Sequence, residues 1–105
     1  VRGADVAFVT NERAGQQKNK EKFFEGPPDV AIEVVSPTDR AVDIEEKILD
    51  YLQAGTRLVL VIYPRTQTIA VHRPGKDVRI LTANDFLEGD DVLPGFSVPV
   101  QEIFE

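Results

Sequence analysis

The run from Pro27 to Pro64, "PPDVAIEVVSPTDRAVDIEEKILDYLQAGTRLVLVIYP", decides the fold. Its first part, Asp29 to Val35, is apolar at nearly every position, as expected of a strand buried on both faces. The segment from Ser36 to Gly55 then changes period. Ile44, Ile48, Tyr51 and Leu52 recur at helical spacing, Ser36, Thr38 and Asp39 are candidate caps, and Gly55 stands where a helix-ending glycine belongs. Arg57 to Tyr63 is rich in β-branched residues and predicts a third strand, stopped by Pro64. A helix between two buried strands is a crossover unit joining parallel neighbours, so the sequence predicts an α/β fold with a mixed sheet.

Outward from this unit the signals weaken. Upstream, Ala4 to Thr10 predicts a short strand, and Asn11 to Pro28 a long polar loop. A loop of that length is usually functional or disordered. Downstream, Gln67 to Pro74 and Lys76 to Thr82 alternate apolar and polar residues around the turn signal Pro74-Gly75. They predict a hairpin with one wet face. The tail carries a Leu93-Pro94-Gly95-Phe96 turn and ends in the start of a helix. No repeat or low-complexity segment interrupts the chain, so residues 1–105 are expected to form one domain, or part of one.

Composition excludes several classes. The 105 residues include no cysteine, which removes disulfides and thiolate chemistry and is compatible with a reducing cytoplasm. No apolar run is long enough to span a bilayer as a helix. A net charge of −6 argues against indiscriminate adhesion to nucleic acid, although it allows a local basic groove. No glycine-rich phosphate loop occurs. His72 is the only histidine, which rules out a multi-histidine metal site within this chain and is expected to be an ordinary strand residue. The absence of methionine, with a strand pattern starting almost at Val1, is expected of the C-terminal portion of a larger domain.

What remains for chemistry is carboxylates and lysines, and Glu33 stands out among them. It interrupts an apolar run, and an ionised carboxylate is costly to bury without a partner. Asp29 would share its face but lies roughly 13 Å away at a strand rise of about 3.3 Å per residue, too far to share one cation, and is expected simply to start the strand. Asp5 sits in the neighbouring predicted strand. Lys47 follows Ile44 by three and precedes Tyr51 by four, so it shares the core face of the helix. Two readings fit these residues. Asp5 and Glu33 could converge on a divalent cation with Lys47 beside them. Alternatively Glu33 and Lys47 form a structural ion pair, Asp43 engages Lys47 along the helix surface, and Asp5 faces water.

The pattern "RGADVAFV", "PPDVAIEVVSPTDRAVDIEEKILDYLQAGTRLVLVIYP" and "DDVLPGFSVPVQEIF" resembles the Uma-two family of restriction-endonuclease-like proteins, within the PD-(D/E)XK nuclease superfamily. The resemblance runs over essentially the whole chain. It implies a restriction-endonuclease-like fold lacking its N-terminal part. In the family pattern a proline usually precedes the aspartate matched by Asp5, and here Ala4 replaces it. Glu33 matches the glutamate of the half-motif. The lysine expected two positions later is Val35, and Lys47 matches the place to which that lysine has moved on the following helix.

By that resemblance Asp5 and Glu33 would ligate Mg²⁺ (or Mn²⁺), with the Val34 backbone carbonyl as a further oxygen. Lys47 would complete the catalytic set, with Asp43 in support. The implied activity is cleavage of DNA in the cytoplasm, with no membrane partner and room for a homo-oligomer. The alternative is an inactive nuclease fold used for binding or assembly. Arg13, Lys18, Lys20 and Lys22, with Phe23 and Phe24, could form a phosphate-contacting arm. Interleaved with Glu12, Glu21 and Glu25, they are more simply a solvated loop.

Overall fold

The computed structural model describes the backbone of residues 6–8 and the whole of residues 27–105. The predicted polar loop, apart from Pro27 and Pro28, therefore lies outside the described residues. Five strands form the main sheet, β1 (Val6–Phe8), β2 (Val30–Val34), β3 (Leu58–Tyr63), β4 (Thr68–His72) and β5 (Arg79–Leu81), in that spatial order. β1 is antiparallel to β2, β2 is parallel to β3, and β3, β4 and β5 continue antiparallel. Helix α1 (Ala41–Ala54) connects the parallel pair, as the crossover pattern predicts.

The helix ends where Gly55 adopts φ 110°, a left-handed conformation that a side chain would disfavour. The Gly55 and Thr56 amides donate to the carbonyls of Leu52 and Tyr51. Its start differs from the expectation. Arg40 is the N-terminal cap residue and offers no side-chain bond. Ser36 and Asp39 instead close the turn before it, with the Ser36 amide and hydroxyl both donating to Asp39 Oδ2. Their hydrogen bonds are spent on the local turn, a standard competitor of helix capping.

Two apolar clusters lie on opposite faces of the sheet. Strands β2 and β3 feed both, because successive side chains alternate. Val30, Leu58 and Leu60 join Ile69, Val71 and Leu81 on one face, while Ala31, Val59 and Val61 join Ile44, Ile48 and Tyr51 of α1 on the other. The second face also buries Ala70 of β4, so that strand lacks the wet face its alternation predicts; the helix covers it. β5, at the sheet edge, leaves Ile80 out in solvent.

The first face is closed by the tail. A small hairpin of β6 (Phe86–Glu88) and β7 (Ser97–Pro99) leads into the short helix α2 (Val100–Ile103). Leu87, Val92 and Val100 from this unit complete the cluster. Gly89 permits the tight return of the chain, since a Cβ there would collide with the backbone and side chain of Leu93. Arg73 Nη1 donates to Asp90 Oδ2 at 2.8 Å and ties the end of β4 to the tail.

Candidate active site

Glu33 is the penultimate residue of β2, and alternation places it with Ala31 on the α1 face. It is only 2% exposed. The apolar run around it forms the strand, and the register of that strand directs the carboxylate inward. Lys47 approaches from α1, on the side of the helix that carries Ile44, Ile48 and Tyr51 into the core. Its Nζ donates to Glu33 Oε2 at 3.3 Å. The lysine side chain keeps 25% of its surface exposed, against 2% for that of Glu33. The pairing offsets the cost of taking Glu33 out of water.

Asp39 borders this region. The Ser36 amide, then the Ser36 hydroxyl, hold its carboxyl below the usual 3.8; slight desolvation opposes them and the positive charge of Lys47 adds to them. Lys47 therefore acts electrostatically on a second carboxylate, which the sequence pattern singled out only as a candidate cap. Asp43 is exposed in the first turn of α1 and makes no ion pair with Lys47 among the described residues. Asp29 is fully buried immediately before β2, where its carbonyl accepts from the Arg57 and Leu58 amides and links the starts of β2 and β3.

Asp5 lies outside the described residues, as do Arg13, Lys18, Lys20, Lys22, Phe23 and Phe24. Among the described residues, no group of three or more Asp, Glu, His or Cys side chains could hold a metal ion. Glu33 supplies the hard oxygen donor that Mg²⁺ or Mn²⁺ prefers. Half-buried His72 sits on β4, and desolvation pushes its pKa below 6.5. No helix among the described residues is long and apolar enough to cross a membrane.

One feature beside the pair has no single-residue signal in the sequence. A cleft of about 800 Å³ opens at the carboxyl ends of the parallel strands β2 and β3. Val34, Val35, Ser36 and Pro37 form one wall, and Tyr63, Pro64, Arg65 and Thr66 the other. The parallel pairing and the short connections after each strand create it. In open α/β sheets, ligands bind outside the carboxyl ends of the strands.

Residues 1–101 match the model of the family Uma2, described as "Putative restriction endonuclease". The chain belongs to the Uma2 family. Among solved structures it is similar to a protein from Anabaena variabilis ATCC 29413 described as "a putative nuclease belonging to DUF820", with a TM-score of 0.79 and 23% sequence identity. The match covers 91% of this chain and 55% of that one, so this chain spans about half the neighbour's length. The likeness establishes a shared nuclease-like fold. The search of curated proteins gave no match.

Proposed function

We propose that this chain carries the site of a metal-dependent endonuclease that hydrolyses phosphodiester bonds in cytoplasmic DNA. The observation that carries the reading is the contact between Lys47 Nζ and Glu33 Oε2 at 3.3 Å, near the carboxyl end of β2 in a chain of the Uma2 family. Glu33 and Asp5 would hold Mg²⁺ (or Mn²⁺), with the Val34 carbonyl beside them. Asp5 enters this set through the family pattern, since the match to the Uma2 family spans residues 1–101.

The bound ion would activate a water molecule and stabilise charge on the scissile phosphate. Lys47 serves in two ways: its ammonium holds the Glu33 carboxylate in one orientation, and its exposed side presents positive charge where phosphate charge develops. Glu33, fixed in a strand, gives the site a rigid donor.

A second reading draws on the 2% exposure of Glu33. Such burial is what a structural Glu33–Lys47 pair in an inactive nuclease fold requires. Titration calorimetry with Mg²⁺ and Mn²⁺ separates the two, on the parent and on Glu33→Ala, in a chain including whatever sequence naturally flanks this one. The nuclease reading expects saturable binding that the substitution abolishes, accompanied by Lys47-dependent DNA cleavage. Absence of metal binding by the folded natural protein would overturn it.

A further inference from the structure

The cleft at the ends of β2 and β3 begins one residue beyond Glu33. Val34, its first wall residue, remains 43% exposed at the end of an otherwise buried strand. Val35, Pro37, Pro64 and half-buried Tyr63 give most of the remaining lining an apolar or aromatic character. The volume of about 800 Å³ falls within the size range of small-ligand sites.

The polar groups of the cleft are largely committed. Ser36 bonds to Asp39 and to the Thr38 hydroxyl, and the Thr66 hydroxyl pairs with that of Thr68 at 2.8 Å. Arg65 is exposed and makes no ion pair with any described residue. The cleft therefore combines apolar walls, one aromatic ring and one guanidinium available to an anion. A duplex backbone calls instead for a row of cations, and the chain as a whole has a net charge of −6. An unstacked base with its attached phosphate fits the local chemistry better: aromatic side chains stack on any base, and arginine binds phosphate through two parallel hydrogen bonds.

Building on the nuclease reading, we infer that this cleft receives an unpaired nucleotide adjoining the phosphodiester presented to Glu33 and Lys47. Tyr63 supplies the stacking surface and Arg65 the phosphate contact. The substrate class is nucleic acid with an unpaired stretch, such as a single strand, an overhang or a flap. Tyr63 and Arg65 are substrate-positioning residues, while the metal and Lys47 side acts on the phosphate itself.

The test uses fluorescently labelled DNA of one sequence, presented as a single strand and as a blunt duplex. Anisotropy is measured with the natural protein in Ca²⁺, and cleavage is measured separately in Mg²⁺. The single strand is expected to bind about tenfold more tightly than the duplex, and Tyr63→Leu to remove most of that advantage. Tyr63→Phe should retain it. Arg65→Ala should weaken binding and reduce the salt dependence by about one ion contact. Circular dichroism verifies folding, and Tyr63→Phe provides a second, conservative test of the ring.

Equal affinity for the paired and unpaired forms would overturn the inference. So would single-strand binding that a folded Tyr63→Leu protein retains in full. Failure of the nuclease reading gives a different result: ring-dependent single-strand binding without Glu33-dependent cleavage. Conversely, Glu33-dependent cleavage that ignores Tyr63 and pairing state would retain the nuclease and remove the nucleotide cleft.

Discussion

The two faces of the main sheet draw on the same strands and meet different demands. On the tail face, Val30, Leu58, Leu60, Ile69 and Val71 pack with Leu87, Val92 and Val100 into an apolar cluster. On the helix face, the next residues along β2 are Ala31 and then Glu33, and α1 answers with Ile44 and Ile48 but also Lys47. One face is stabilised by excluding water from hydrocarbon. The other must also accommodate a buried carboxylate, whose desolvation is offset by pairing with a partly exposed lysine. Stability and candidate chemistry are thus separated by the alternation of a single strand.

The largest effect should come from the face without chemistry. Leu58 is 1% exposed, and Leu58→Ala removes methyl groups from a site enclosed by the sheet and tail. It should cost about 3 kcal/mol in urea unfolding and leave metal binding by the remaining folded protein unchanged. A simultaneous loss of metal affinity would show that the faces are coupled.

The helix face should respond less in stability and more in function. Lys47→Met leaves Glu33 without its ammonium and should cost about 2 kcal/mol, less than a fully enclosed pair because the lysine is partly solvated. Combining it with Glu33→Gln should restore stability to within about 1 kcal/mol of the parent while abolishing binding of Mg²⁺. Unfolding curves of the four proteins in the cycle measure the first effect and calorimetry the second. If the double substitution remained as unstable as Lys47→Met, the charge pair would be required for folding.

The smallest difference concerns pH. Burial lowers the pKa of His72 below 6.5 in the folded state, so the unfolded chain binds the proton more readily. This contribution to stability is present above pH 6.5 and is lost as pH falls through the folded-state pKa. Asp39 adds a loss of the same sign, starting from its ordinary value of 3.8 and completed as pH falls through its lowered pKa. Urea midpoints measured across this range for His72→Gln should flatten the upper part of the decline and keep the lower part. An unchanged upper part would assign it to another group.

The β2–α1–β3 unit was legible because its signals agree at every level. The strand composition, the helical recurrence of Ile44, Ile48 and Tyr51, and Gly55 at the exit all specify one arrangement. The same periodicity selected Lys47 as a partner for Glu33. The helix start was less legible because Ser36 and Asp39 are suited both to a cap and to the turn they form. β6 and β7 carry no clear sequence signal because each has only three residues, too few to establish an alternation. The β3–β4 turn was hidden by Pro64, which marks a stop without specifying that the chain returns through Gln67 at φ 55°.

The sequence by itself determined which segments could be buried, where the crossover helix ends, and that Glu33 needs a partner. Local preference and side-chain periodicity carry that information along the chain. Tertiary structure alone decided that Ala70 is covered by α1, that the tail closes the opposite face, and that a cleft opens beside Glu33. Each depends on residues far apart in sequence meeting across a sheet, and their contact energies are set by the register and packing of the whole domain.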